Sequence, residues 1–282
     1  MTAPAPGAAP RSRTPAFTLL ALAASAVLLL FLALPFLGLL LRVSPAELVA
    51  RLGDRPVLDA LWLSLVTSAA ATLLIVLLGT PVAWLLATRS FPGKRLVEVL
   101  VDLPMVLPPT VAGFALLMAF GRMGFAGRAL SAFGLSLPFT TLGVVAAQVF
   151  MAAPFFVGAA RAGFAGVDRR LLDVAATLRA TEAYTFTRVV LPLARPALIA
   201  GMAMSGARAL GEFGATITFA GNLPGRTQTM PLAVYVALQS DLDTAVLLSV
   251  LLLLVSFALL LALRSAPAGV PWSRGGAGHT RP

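Results

Sequence analysis

Two side chains stand out by type and spacing. Arg208 and Glu212 lie four residues apart in a long, otherwise uncharged stretch, ALIAGMAMSGARALGEFGATITFA. On a helix they share one face. At ~1.5 Å per residue from Pro196, Arg208 sits ~18 Å along that helix, near the middle of a bilayer. A lone charge there is costly, and pairing removes much of the cost. Two readings follow. The face lines or gates a path, with Glu212 keeping Arg208 from becoming a permanent anion trap, or the ion pair only fixes packing. Gly214, Thr216, Asn222, Arg226 and Thr227 come next, in a run that ends GNLPGRTQT. Its N–H, hydroxyl, amide and guanidinium groups are donors able to handle an oxyanion transiently. The same run also reads as a turn exposed to a partner.

Other chemistry is excluded by what the chain lacks. It has no cysteine and a single histidine, His279, in a Gly/Pro/Arg-rich tail. Disulfides, thiolate metal sites and histidine acid–base work are therefore not expected. No nucleophile–histidine arrangement, carboxylate pair or GxxxxGK[ST] phosphate loop occurs. The expectation is a chain that is not an enzyme, binds no metal or cofactor and cannot hydrolyse ATP by itself.

The elements that must hold these residues are membrane spans. Hydrophobic residues make up 59% and charged residues 11% of the 282 positions, against about 25% charged in a soluble domain. The spacing of apolar runs predicts six spans, at 17–41, 60–88, 103–121, 138–160, 196–220 and 244–263. The first is too long and lacks the small-residue cleavage site of a signal peptide. Span two exceeds the bilayer core, so it tilts or projects. Span three opens on Pro104 and Pro108-Pro109, so its entry is bent or broken. Broken backbone at that depth is tolerated against protein or a water-lined cavity. Pro108 and Pro109 are therefore candidates for a path lining or, equally, a structural kink. Gln148 is the main polar break of span four. Residues 1–16 and 265–282, rich in Pro, Gly, Ala and Arg, read as disordered tails.

Between spans four and five lies DRRLLDVAATLRATEAYTFTRVVLPLARP, residues 168–196. Leu171, Leu172, Ala175 and Leu178 recur at helical spacing, then Phe186, Val189 and Val190. Thr181 begins the second helix without an acidic capping box, and Leu191-Pro192 is expected to end it. The reading is two short amphipathic helices with a bend, serving either as a docking surface that something else pushes on or as a tether.

Charge sets the orientation. Most of the 21 Lys and Arg fall in the segments that share a side with the termini, such as Arg89, Lys94, Arg95, Arg161, Arg169, Arg170, Arg179, Arg188 and Arg195. The other side holds Arg42, Arg51, Arg55, Arg122, Arg128 and Arg226. The positive-inside rule then places both termini and the 168–196 module in the cytoplasm. It also accounts for much of the net +10 without nucleic acid.

These residues carry a resemblance. Asp173-Val174-Ala175, Arg179, Val189, Leu191 and Pro192 follow the spacing of the EAA loop of binding-protein-dependent ABC importer permeases: E-A-A, then Gly, then I-x-L-P. Asp replaces Glu, Val replaces Ala, and Arg179 stands at the usual glycine. Arg179 therefore suggests a slightly different bend or an added contact with a partner. The stretches 207–216 and 219–232 resemble the molybdate permeases. Sulfate/thiosulfate permeases are similar, and tungstate permeases are further away. The resemblance covers residues 17–264.

It implies an all-α, polytopic, type I importer permease fold (MetI-like) with six transmembrane helices, in which 168–192 forms coupling helices. It further implies a bacterial inner-membrane location. The implied partners are a second copy of the chain, two ABC ATPase subunits at the cytoplasmic side and an extracytoplasmic oxyanion-binding protein. The activity implied is ATP-driven molybdate import. The alternatives are a sulfate, thiosulfate or tungstate permease, a secondary transporter coupled through Arg208 and Glu212, and a non-transporting scaffold.

Overall fold

The computed structural model describes residues 15–51 and 53–265. Among these, all regular structure is helical. The expected disordered tails, apart from residues 15, 16 and 265, lie outside the described residues, as does His279. Chain order runs α1 (Pro15–Leu40), α2 (Pro45–Arg51), α3 (Arg55–Thr88), α4 (Lys94–Val106), α5 (Pro109–Phe120), α6 (Phe125–Ala132) and α7 (Thr141–Ala165). It continues through α8 (Arg169–Thr177), α9 (Glu182–Thr185), a π turn (Phe186–Val190), α10 (Leu191–Leu210), α11 (Gly214–Ala220), α12 (Met230–Ser240) and α13 (Leu242–Ser265). Five helices are long and apolar enough to cross a membrane, and the α5–α6 pair, bent by 51°, makes a sixth candidate.

The centre of the bundle is α7, which packs on α3, α10, α11, α4 and α5. Its most apolar window is 56% buried, whereas that of α1 is 0% buried, so α1 is peripheral. Small residues let α7 and α10 approach. A Cβ added at Gly163 would meet Ala197 Cβ at 2.5 Å, and one at Gly201 would meet Ala159 Cβ at 2.9 Å. Around these crossings Ile75, Phe156, Phe164, Val190 and Ala194 form the main apolar core.

The expected spans hold with corrections. Span three begins as expected with a break: α4 ends at Val106, and α5 restarts at Pro109, where a missing N–H costs nothing. Pro104, however, is accommodated inside α4. The connections expected at 122–137 and 221–243 contain α6 and α12. Span five is not one helix over 196–220. It begins further back, reaches Leu210 and breaks at Gly211–Phe213 before α11.

Candidate functional site

The two-helix module is built by its caps. The Asp168 carboxylate accepts from Arg170 N at 2.9 Å, and Thr181 Oγ1 accepts from Tyr184 N at 3.2 Å. These satisfy N–H groups that have no partner within the helix. Between the helices Arg179 adopts φ 55, the left-handed region, while Ala180 N donates to Ala175 O at 3.0 Å. The bend is therefore the one a glycine would make, with Arg179 carrying the strain, and not a different bend. Replacing Arg179 with glycine removes a Cβ clash worth about 1–2 kcal/mol against a Gly entropy cost of about 0.5–1 kcal/mol. The expected result is a melting temperature equal to or slightly above that of the native chain.

Leu191-Pro192 does not end the second helix. The chain widens into the π turn, with Leu191 N donating to Phe186 O, and runs straight on into α10. The wider turn carries the backbone past the position where Pro192 has no N–H to give. The turn is locked from inside by three rings. Trp84 lies 5.6 Å from Phe164 and 5.1 Å from Phe186, and Phe164 lies 5.9 Å from Phe186. The two edge contacts of Trp84 and the tilted Phe164–Phe186 pair tie the module to α3 and α7. The Arg89–Glu182 pair at 2.7 Å adds a second tie, but both groups are exposed and such pairs contribute little. On the outer face Leu171, Val174, Leu178 and Tyr184 are exposed around an apolar concavity of about 570 Å³. Of the candidate coupling residues, Asp173, Val174, Arg179 and Pro192 are exposed, Val189 and Leu191 half-buried and Ala175 buried.

At the other end of α10, Arg208 and Glu212 meet. Arg208 Nη1 lies 2.6 Å from Glu212 Oε2; the arginine side chain is 27% exposed and the glutamate 1%. The other carboxylate oxygen, Oε1, accepts from Ala215 N at 2.7 Å. Glu212 thus ties the break to both flanking helices, to α10 through Arg208 and to α11 through Ala215. Facing it is the break of span three. A Cβ at Gly214 would lie 2.6 Å from Pro109 Cβ, and one at Gly113 would lie 2.6 Å from Ala215 O. The structure therefore brings Pro109, Gly214 and the Arg208–Glu212 pair together, with Thr216 buried beside them and Pro108 exposed at the start of α5.

The GNLPGRTQT run folds on itself. The N–H groups of Arg226, Thr227 and Gln228 all donate to Leu223 O, at 3.1, 2.8 and 3.0 Å, and Gly225 supplies the turn at φ 70. Thr227 is buried, its Oγ1 accepting from Leu223 N at 2.9 Å. Met230 N donates to Ser64 Oγ at 2.7 Å, anchoring α12 to α3. Three of the N–H donors expected to face an oxyanion are thus engaged within the turn, while the Thr227 hydroxyl oxygen accepts there from Leu223 N. Arg226 stays exposed and Asn222 half-buried.

Residues 79–266 match the family described as binding-protein-dependent transport system inner membrane component. The chain belongs to that family. Among similar proteins, the molybdenum transport system permease protein ModB of Mycobacterium tuberculosis is 45% identical over 232 residues, 81% of this chain and 86% of that protein. ModB of Escherichia coli K12 is 44% identical over 186 residues, 66% of this chain and 81% of that protein. The sulfate transport system permease protein CysT of Synechocystis is 35% identical over 238 residues, 83% of each chain. In fold, this permease is similar to the bacterial ABC transporter that imports the acidic polysaccharide alginate, with a TM-score of 0.71, 16% identity and coverage of 88% of this chain and 93% of that one. The MetNI methionine transporter follows, with a TM-score of 0.57, 17% identity and coverage of 73% and 92%. The fold is that of a type I ABC importer permease.

Three features of the permease site were not singled out from sequence. Gly113 lies in the middle of an apolar run, where its role as the α5–α11 contact leaves no local mark. Trp84 and Phe164 close their spans at the module side; an aromatic ring at the end of each apolar run was the available signal. Gln148, by sequence a polar break in span four, is 1% exposed and neither amide atom has a hydrogen-bond partner.

Proposed function

We propose that this permease is the membrane subunit of an ATP-driven, binding-protein-dependent importer of molybdate. One observation carries the reading: a single chain joins an exposed two-helix module to a polar break in the middle of a span. From the π turn to Leu210, α10 is one continuous helix, so a push on the module reaches the Arg208–Glu212 break. Pro196 lies within that helix without interrupting it.

In this reading two separate ATPase subunits dock on the face formed by Leu171, Val174, Leu178 and Tyr184, and hydrolyse the ATP. Asp173, Val174, Ala175, Arg179, Val189, Leu191 and Pro192 carry the movement. Both termini and the module lie in the cytoplasm of a bacterial inner-membrane protein, in keeping with the arginine distribution. A second copy of the chain completes the path, and an extracytoplasmic binding protein delivers the anion near Arg226. Closure of the motors on ATP opens the path outward, and hydrolysis returns it inward. The site along the way holds the anion weakly, because tight binding would slow release.

Molybdate is chosen over sulfate because identity is 45% to ModB and 35% to CysT over similar lengths. The CysT similarity keeps sulfate as the second reading. The test is ATP hydrolysis by the reconstituted permease–ATPase complex with its binding protein, titrated with molybdate, tungstate and sulfate. Stimulation at low molybdate and tungstate with sulfate inert is the expected result. Stimulation by sulfate would move the chain to the sister group, and no dependence on any anion would overturn the importer reading.

A further inference from the structure

Gln148 is a polar side chain shut inside the bundle. Its side chain is buried within α7, and neither the amide oxygen nor the amide nitrogen has a partner. Thr216 on α11 is also fully buried, and its hydroxyl oxygen is likewise unpartnered. Groups of this kind cost free energy inside a protein and more so inside a membrane. A buried polar side chain that merely ties helices together would be bonded in the packed state.

The register brings the two to one depth. Towards the cytoplasmic end α7 runs antiparallel to α10, with Gly163 against Ala197 and Gly201 against Ala159. At its other end Gly143 faces Ala220, 3.6 Å from an added Cβ. Carried along α7, the first register places Gln148 opposite Glu212 in the break, and the second places it opposite Ala215 in the first turn of α11. Its sequence neighbour Ala147 packs in one cluster with Ala215, the neighbour of Thr216. Arg208, with its side chain 27% exposed, stands at the same break.

We propose that Gln148 and Thr216 are substrate-contacting residues of the path. They are donors that a tetrahedral oxyanion meets when α11 parts from α7, with Arg208 as the third contact. This rests on the importer reading and deepens it. A tetrahedral dianion presents acceptors only, so it needs N–H and O–H groups. The Gln148 amide offers two hydrogens, the Thr216 hydroxyl one, and the Arg208 guanidinium the hydrogens that Glu212 leaves. Glu212 cancels the arginine charge, and its two oxygens are already held by Arg208 and Ala215 N. The anion is then recognised by hydrogen bonds without a net positive charge, which suits a group that must let go. In the packed conformation the donors are shut away, so no anion rests there between cycles.

The test uses the whole transporter, with its ATPase and binding protein, in proteoliposomes. Gln148→Leu and Thr216→Val keep the volume and remove the donors. Each is expected to lower molybdate uptake roughly tenfold, the effect of one lost hydrogen bond in the transit state. Each is also expected to melt at the same or a higher temperature, since an unpartnered buried polar group is gone. Wild-type uptake in both variants would overturn the proposal. So would lost uptake with a lower melting temperature, the mark of a structural tie. If the native transporter moves none of molybdate, tungstate and sulfate, the importer reading itself falls; if only the variants behave like the native chain, this assignment alone falls.

Discussion

Replacing Gly113 with alanine is expected to abolish uptake and to lower the melting temperature of the permease markedly. A Cβ at Gly113 would stand 2.6 Å from Ala215 O, 2.8 Å from Ala215 Cα and 2.8 Å from Thr218 Cβ. Two of these are backbone atoms, so no side chain can swing aside. Either α5 or α11 must shift, at the break where Glu212 holds Ala215 N at 2.7 Å. Overpacking of this kind costs about 1–3 kcal/mol, occasionally more. The loss of function should exceed the loss of stability, because the displaced helices are those carrying Pro109, Gly214 and Thr216. Gly158 is the control. It lies within α7, and an added Cβ would meet nothing within 4 Å. Gly158→Ala should therefore leave uptake intact and raise stability by about 0.5–1 kcal/mol, the usual gain inside a helix. Equal behaviour of the two variants in thermal melts and uptake would sink the claim that the close α5–α11 approach at Gly113 is needed for uptake.

The second large effect is expected at Glu212. Glu212→Leu removes the partner of Arg208 and the acceptor for Ala215 N together. Breaking a buried ion pair from one side costs about 3–5 kcal/mol, most of it from the charge left behind. Part is relieved here, because the Arg208 side chain is 27% exposed and can turn outward. Glu212→Gln separates the two roles: its amide oxygen still accepts from Ala215 N, but the negative charge is gone. It should therefore destabilise less than leucine. The double variant Arg208→Met/Glu212→Gln should recover much of the loss, since no unpaired charge remains. Melting curves of the native chain, Arg208→Met, Glu212→Gln and the double close the cycle. A double variant no better than Glu212→Gln alone would show that the charge pair is not what matters at the break. If the pair sets the path rather than the packing, the double variant will melt like the native protein yet move less anion.

Both predictions concern one region, which sits between the two breaks. Span three and span five are each interrupted, and the interruptions are packed against each other through Pro109 and Gly214. A continuous helix resists bending along its length, whereas a break lets the outer half turn without dragging the inner half. The module end of span five is the opposite case. There Trp84, Phe164 and Phe186 clamp the π turn, which suits the proposed role of α10 in carrying movement from the module.

Much of this was legible in the residues because it depends on neighbours along the chain. Apolar runs long enough to cross a bilayer, prolines that interrupt span three, and charges four apart in span five are local properties, and the structure contains the spans, the broken entry at Pro108-Pro109 and the Arg208–Glu212 pair. The helical spacing of Leu171, Leu172, Ala175 and Leu178 likewise marked a helix before its surroundings were known. Other features were decided only by packing across the fold. Pro192 looked like a stop because a regular α-helix cannot pass it, but the three-ring clamp holds a wider turn that does. The donors of GNLPGRTQT looked free because nothing in the run says that Leu223 O will take three of them. Glu212 looked like one face of a helix until the helix ended two residues earlier. Whether a polar group is satisfied depends on which distant segments reach it, and Ser64 meets Met230 across 166 residues of chain. Hydropathy and spacing record what each segment prefers. Only the tertiary structure settles which preferences are met, and at Gln148 and Thr216 it leaves two of them unmet.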